Sequence, residues 1–227
     1  MPSPILIETQ AVGPFFKNGF VVACPATRDA VLIDPGDEVP TLLEYARRQR
    51  LAIGAILLTH AHVDHVTGVG TAKRALDIPI YLHRDDLFLY ERAVEFGAMF
   101  GLTVEPQPPI DQFYAPDQVI RFGDCEARPH HTPGHCPGGV CLQVGTRGET
   151  GKDLFVGDTL FAGSIGRTDL PGGDYATLIG SIRTTLFAFG DDARVYPGHG
   201  PATTIGQERR TNPFLQTQAR PLGRAPS

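Results

Sequence analysis

The stretch A-I-G-A-I-L-L-T-H-A-H-V-D-H, residues 52–65, sets a continuous apolar run directly against four potential metal ligands. Its apolar part, 52–58, has the composition of a strand buried on both faces. Its polar part packs His60, His62, Asp64 and His65 into six positions. Neutral imidazole and carboxylate are the side chains that divalent first-row metals take from proteins. A lone histidine is ordinarily a satisfied surface or core residue. Four such groups in one loop, at the end of a buried strand, point to metal.

Upstream of this stretch, F-V-V-A-C (20–24) and A-V-L-I-D (30–34) read as neighbouring strands that end at a P-G turn. A helix with Val39, Leu42, Leu43 and Ala46 on one face should follow them. Downstream, the pattern predicts a helix near 68–76, a strand at 79–82 and a helix over 85–100. The proline-rich segment 102–117 reads as a surface connection. Strands are then expected near 118–122, 124–129, 139–144 and 152–158, a helix over 174–187, a strand at 194–196 and a short helix near 203–211. Hairpins and strand–helix alternation occur in one chain. That combination predicts two mixed sheets packed face to face with helices outside, an αββα sandwich of α+β class. The domain is expected to span residues 1–213, with 214–227 as a tail.

Of the 227 residues, 41% are hydrophobic and 20% charged, an ordinary globular balance, and the formal net charge is −5. There is no Lys/Arg block, so neither a nucleic acid nor an anionic membrane is an expected partner; a small molecule is. No secretory pattern and no run of about 18 apolar residues is present, and a cytoplasmic location is expected. Cys24, Cys125, Cys136 and Cys141 form no C-x-x-C pair and read as reduced, buried thiols.

Further ligand candidates fall where other strands should end. H-H-T-P-G-H (130–135) offers His130, His131 and His135; V-G-D-T (156–159) offers Asp158; Y-P-G-H-G (196–200) offers His199. Together with T-H-A-H-V-D-H and D-P-G (34–36), these stretches resemble, in order, the motifs of the metallo-β-lactamase superfamily, over residues from about Ile5 to Pro213. Within it, G-R-T-D-L-P-G-G-D (166–174) and E-R-x-x-N-P-F-L (208–215) are similar to short type II glyoxalases, the hydroxyacylglutathione hydrolase-like proteins.

The resemblance implies one metal on His60, His62 and His135, a second on Asp64, His65 and His199, and Asp158 bridging both. Asp64 and Asp158 are the catalytic candidates and Arg167 the substrate-binding one. Seven donors exceed what a single tetrahedral zinc takes. They suit a metal pair that activates a shared water, with zinc first and iron or manganese as alternatives. The expected reaction is hydrolysis of a thioester like S-D-lactoylglutathione, or of a related ester. The alternatives are a mononuclear iron persulfide dioxygenase, a lactonase of the same fold, and a non-catalytic metal-stabilised module. A true β-lactamase is disfavoured, because the branches that bind metal through cysteine place it where this chain has Asp158.

The remaining candidates have blander expectations. His131 should hydrogen-bond behind the metal ligands, and His130 should face solvent. His83 should be a packed surface residue, and Asp34 should orient the histidine loop. No G-x-G-x-x-G fingerprint and no G-x-S-x-G elbow occurs. The chain also departs from the glyoxalase pattern. Only 28 residues follow His199, where full-length type II glyoxalases carry a helical domain, so that domain is expected to be missing. Asp169 stands where an aromatic is expected and Pro201 where a tyrosine is, which leaves Arg167 as the remaining anchor for glutathione.

Overall fold

The structure is a computed structural model that describes residues 5–216. Six strands form the first sheet in sequence order: β1 (Leu6–Val12), β2 (Lys17–Ala23), β3 (Asp29–Ile33), β4 (Ala52–Leu57), β5 (Ile80–Leu82) and β6 (Gln112–Phe113). The first three are antiparallel neighbours, and β3 to β6 run parallel. The second sheet contains β7 (Ile120–Phe122), β8 (Cys125–His131), β9 (Val140–Thr146) and β10 (Asp153–Gly157). A ribbon of β11 (Leu160–Phe161) and β12 (Ser164–Ile165) intervenes before β13 (Arg194–Pro197) and β14 (Thr203–Thr204). Its order is β14-β13-β10-β9-β8-β7, with β10 and β13 the parallel pair.

The two-residue period of a strand sorts its side chains into layers. Phe20, Val22 and Cys24 of the β2 segment face Leu142, Val144 and Phe155 of the second sheet, forming the central core. The alternate residues Val21 and Ala23 face outward, under α1 (Val39–Gln49), α2 (Val63–Val66) and α3 (Val69–Leu76). α4 (Leu87–Glu91) and α5 (Ala93–Met99) complete that layer. On the far side, Cys141, Leu154 and Val156 pack beneath α6 (Tyr175–Thr184), α7 (Ile205–Thr211) and α8 (Pro213–Gln216). The αββα sandwich read from the sequence is the fold. Leu57 and Leu58 are both fully buried, on opposite faces of the first sheet, which is why their segment reads as continuously apolar.

Several elements differ from expectation. β1 was not legible because it is an edge strand with half-exposed, alternating residues. β6 is a two-residue strand inside the segment read as a surface connection. The helix expected over 85–100 is a 3₁₀ turn, Arg84–Asp86, followed by two helices that break at Arg92. The helix expected over 174–187 ends at Thr184 and continues as a 3₁₀ turn, Leu186–Phe189. Of the expected tail, the first residues belong to α8 and 217–227 lie outside the described residues. Among the described residues, no helix is long and apolar enough to cross a membrane.

Candidate metal centre

Every donor follows the C-terminal end of a strand. Asp34 follows β3; His60, His62, Asp64 and His65 follow β4; His135 follows β8; Asp158 follows β10; and His199 follows β13. Short loops anchored in packed strands hold side chains at defined positions. The two sheets are also stitched together here. The Thr59 carbonyl accepts from the Val140 N–H at 2.8 Å, and the Gly198 carbonyl accepts from the Asn18 N–H at 2.7 Å.

The donors gather into two adjoining groups, His60/His62/His135 and Asp64/His65/His199. His62 Nδ1 and His135 Nε2 approach to 2.7 Å, and His199 Nε2 lies 3.1 Å from Asp64 Oδ2. Asp158 sits between the groups: Oδ2 is 3.6 Å from His135 Nε2 and 3.5 Å from His199 Nε2, and Oδ1 is 3.4 Å from His65 Nε2. All seven residues named from the sequence therefore meet at one point. Glycine makes the approach possible at one corner, because a Cβ on residue 198 would strike Asp158 Oδ1 and the His65 ring.

A metal fits these residues. Among the described residues, eight buried side-chain N or O atoms lack a hydrogen-bond partner. Three of those eight are on donors gathered here: His60 Nε2, His65 Nε2 and Asp158 Oδ1, while His62 turns its Nδ1 toward His135. Orphaned buried polar atoms are costly, and a cluster of them around one point implies an absent common partner. The other ends of the rings are held. His135 Nδ1 lies 2.7 Å from the Arg167 carbonyl, His199 Nδ1 3.2 Å from the Phe15 carbonyl, and His65 Nδ1 2.9 Å from Asp34 Oδ2. Each is a protein acceptor that fixes the ring with the opposite nitrogen free to ligate. Asp34 itself is fully buried, and its two oxygens also accept the Thr59 N–H at 2.7 Å and hydroxyl at 2.6 Å. It occupies the orienting position expected of it.

The charges follow from the crowding. Burial and the surrounding imidazoles keep His60 well below its ordinary value, and burial with His135 alongside holds His62 down at about 3. Burial also opposes charge on His65, but the carboxylates of Asp64, Asp34 and Asp158 outweigh it and raise that group to about 10. Burial would raise Asp158; His65, His135 and His199 instead hold it well below the usual carboxylate range. The crowding thus favours neutral imidazoles at His60 and His62 beside a His65 ion-paired with its carboxylates.

Two supports went unread in the sequence. Asp86, buried in the H-R-D-D stretch, accepts from the Ala61 N–H at 3.0 Å, the Gly138 N–H at 2.5 Å and the Cys136 thiol at 3.2 Å. It ties the β4 loop to the His135 loop. A D-D pair before L-F-L-Y signals a helix start, but the Asp86 side chain makes no cap and turns inward. Lys17 is also buried; its ammonium donates to the Asp34 carbonyl and pairs with Glu38, whose Oε1 accepts the Gly36 N–H at 2.9 Å. A lysine within an apolar strand gives no sign of such a partner.

The secondary histidines divide. His131 donates from Nε2 to the Pro137 carbonyl at 2.8 Å and so braces the His135 loop from outside. His83 stacks on it with ring centroids 4.2 Å apart. His130, expected to face solvent, is half-buried, 2.9 Å from Gln143 Oε1 and edge-on to Phe189. It lies opposite Cys141 on the outer face of the second sheet, under the segment after α6 that carries Phe189, which the sequence pattern did not resolve. The E-R-x-x-N stretch is structural: Glu208 accepts from the Gly163 N–H at 2.9 Å, and the Asn212 side-chain amide donates to the Ser164 carbonyl at 2.9 Å. Both bonds fasten the β11–β12 ribbon beside the site. Arg167 lies at the rim, exposed, with its guanidinium in a two-point contact with Asp169 at 2.7 and 2.8 Å.

A fold of two such sheets with this donor cluster defines a class, and comparison with known proteins agrees. The family model of the metallo-beta-lactamase superfamily matches residues 12–199. The chain belongs to the metallo-β-lactamase superfamily. It is 39% identical to the hydroxyacylglutathione hydrolase GloC of Haemophilus influenzae, over 85% of this chain and 90% of that one. Among solved structures, it is similar to BLEG-1 B3 metallo-beta-lactamase, with a TM-score of 0.85, 36% identity, and coverage of 93% of this chain and all of that one. It is also similar to TTHA1623 in a di-iron-bound form, with a TM-score of 0.81, 41% identity, and coverage of 92% of this chain and all of that one.

Proposed function

We propose that this protein is a dinuclear metal-dependent hydrolase that cleaves a thioester or a related ester. The observation that carries this reading is the placement of Asp158, within 3.4–3.6 Å of donors from both ligand groups. His60, His62 and His135 would hold one divalent ion, and Asp64, His65 and His199 the other. When bound, such a pair supplies a water of lowered pKa and a Lewis acid for the carbonyl. Zinc is the first expectation; the di-iron form of TTHA1623 supports iron as an alternative.

The chain's own residues supply position and polarity. Asp34, the Arg167 carbonyl and the Phe15 carbonyl keep three imidazoles aimed at one point. Asp64 and Asp158 bring two negative charges to it, which would offset half the charge of two divalent cations and leave a net positive site that favours a hydroxide. In the reaction, a water oxygen bonds to the acyl carbon, the C–S or C–O bond breaks, and the departing group takes up a proton. No protein nucleophile is required. Cys136 is unsuited to that role, being fully buried, bonded to Asp86, and with its thiol pushed well above its ordinary value by burial.

The similarity to GloC supports a thioester, and the similarity to BLEG-1 makes a β-lactam the competing substrate. The test is turnover by metal-loaded protein on S-D-lactoylglutathione, a neutral acyl thioester and a chromogenic β-lactam, with oxygen uptake on glutathione persulfide as a fourth arm. Thioester turnover that stops on chelation and returns with metal is expected. Oxygen uptake with a single iron per chain, or turnover of the β-lactam alone, would overturn the proposal.

A further inference from the structure

The cleft above the donors is about 430 Å³, within the roughly 300–1,000 Å³ of small-molecule sites. Its floor is His62, Asp64, His135, Asp158 and His199. One wall comes from the turn before β2 and from α4–α5: Phe15, Leu89, Phe96, Met99 and Phe100. Phe15 meets Phe100 edge-on with ring centroids 6.0 Å apart. The opposite wall is Phe161, Ile165, Leu170 and Pro171. Met99 and Phe100 are 74% and 49% exposed, so a ligand seated against them would remove large apolar surface from water.

Among the described residues, Arg167 is the one cationic side chain lining the cleft besides the histidines, and its guanidinium is already matched at two points by Asp169. A fork filled by a carboxylate on its own loop has little attraction left for a carboxylate on a substrate. Glutathione carries two carboxylates and an ammonium, and among the described residues no unpaired charged side chain outside the donor cluster lines this cleft. The walls instead match hydrocarbon.

We infer that the substrate class is a thioester or ester with an apolar, medium-length acyl chain on an uncharged carrier, the chain lying between the Phe15–Phe100 wall and the Phe161–Leu170 wall. This rests on the hydrolase reading above. Hydrolysis releases the free acyl acid and the thiol or alcohol, with water as the only co-reactant.

The experiment compares acetyl, butanoyl, hexanoyl and octanoyl thioesters of N-acetylcysteamine with hexanoyl- and lactoylglutathione, using metal-loaded protein. Each buried methylene should raise kcat/KM by up to about fourfold, so hexanoyl should exceed acetyl by tens- to hundredfold. Phe100→Ser should lower the hexanoyl value more than the acetyl value. Asp169→Ala, which frees Arg167, should raise the glutathione-to-neutral carrier ratio about two- to fivefold. A hexyl thioether of the same carrier, which cannot turn over, should bind with a negative heat-capacity change. Turnover with no chain-length dependence, or a preference of tenfold or more for lactoylglutathione over the neutral hexanoyl thioester, overturns the inference alone. Absence of turnover on every thioester and on the corresponding oxygen esters overturns the hydrolase reading and the inference with it.

Discussion

Asp34→Asn isolates the link between the core and the metal centre. Asp34 has a left-handed backbone with φ of 48°, which asparagine tolerates better than alanine. Asparagine also keeps the volume and one carbonyl oxygen, enough to go on accepting the Thr59 N–H that now lies 2.7 Å from Oδ1. The other position becomes an NH₂ group, facing a hydroxyl at 2.6 Å and His65 Nδ1 at 2.9 Å. The hydroxyl can rotate to accept. His65 must then turn to the tautomer that accepts at Nδ1, which puts its proton on Nε2, the nitrogen aimed at Asp64 and Asp158. Loss of a supporting acceptor typically costs 10–100-fold in metal affinity, or about 1.4–2.7 kcal/mol. One badly matched buried bond costs about 1–3 kcal/mol of stability. Chelator competition should therefore find the Asp64/His65/His199 site weakened by that factor and the His60/His62/His135 site nearly unchanged, with a folded protein by circular dichroism. Equal affinity of both sites in the variant and the parent would refute the orienting role of Asp34.

Asp158→Ala should abolish turnover and weaken both ions, whereas Asp64→Ala should mainly empty one site; full metal content and turnover in Asp158→Ala would show the ligand assignment wrong. Cys136→Ala should leave kcat within about twofold and lower stability by about 1 kcal/mol, a small buried truncation; complete loss of activity would reopen the thiol question. His65, raised from 6.5 to about 10 by its carboxylates, stabilises the metal-free fold fully below about pH 6.5, and that stability is lost as pH rises toward about 10. Thermal melts of chelator-treated protein should fall across that window. Metal-loaded protein, whose His65 has given up its proton to bind, should not show the same decline; parallel decline of both forms would count against the ion-paired site.

Legibility followed local density of signal. The seven donors lie in four short stretches, three of them with glycine or proline beside the donor, and each stretch follows a strand, so the layered fold could be read, and the meeting of the donors through the family resemblance those stretches carry. Asp86, Lys17 and Glu38 could not. The partners that tie them to the site are 17 to 52 residues away, and a buried charge in one sequence looks like any surface charge. β6 and the break at Arg92 were hidden because two-residue strands and single-residue helix breaks fall below the resolution of periodicity. The pairing of Arg167 with Asp169 was within reach, since both stand in G-R-T-D, but their contact depends on how that loop turns.

The central claim is that seven side chains hold a metal pair with Asp158 shared. Its most direct test is elemental analysis of gently purified protein together with anomalous diffraction at the metal edges. The account predicts about two divalent ions per chain, roughly 3.5–4 Å apart with an Asp158 oxygen on each. One ion per chain under saturating metal, with Asp158 ligating it alone or not at all, would contradict it.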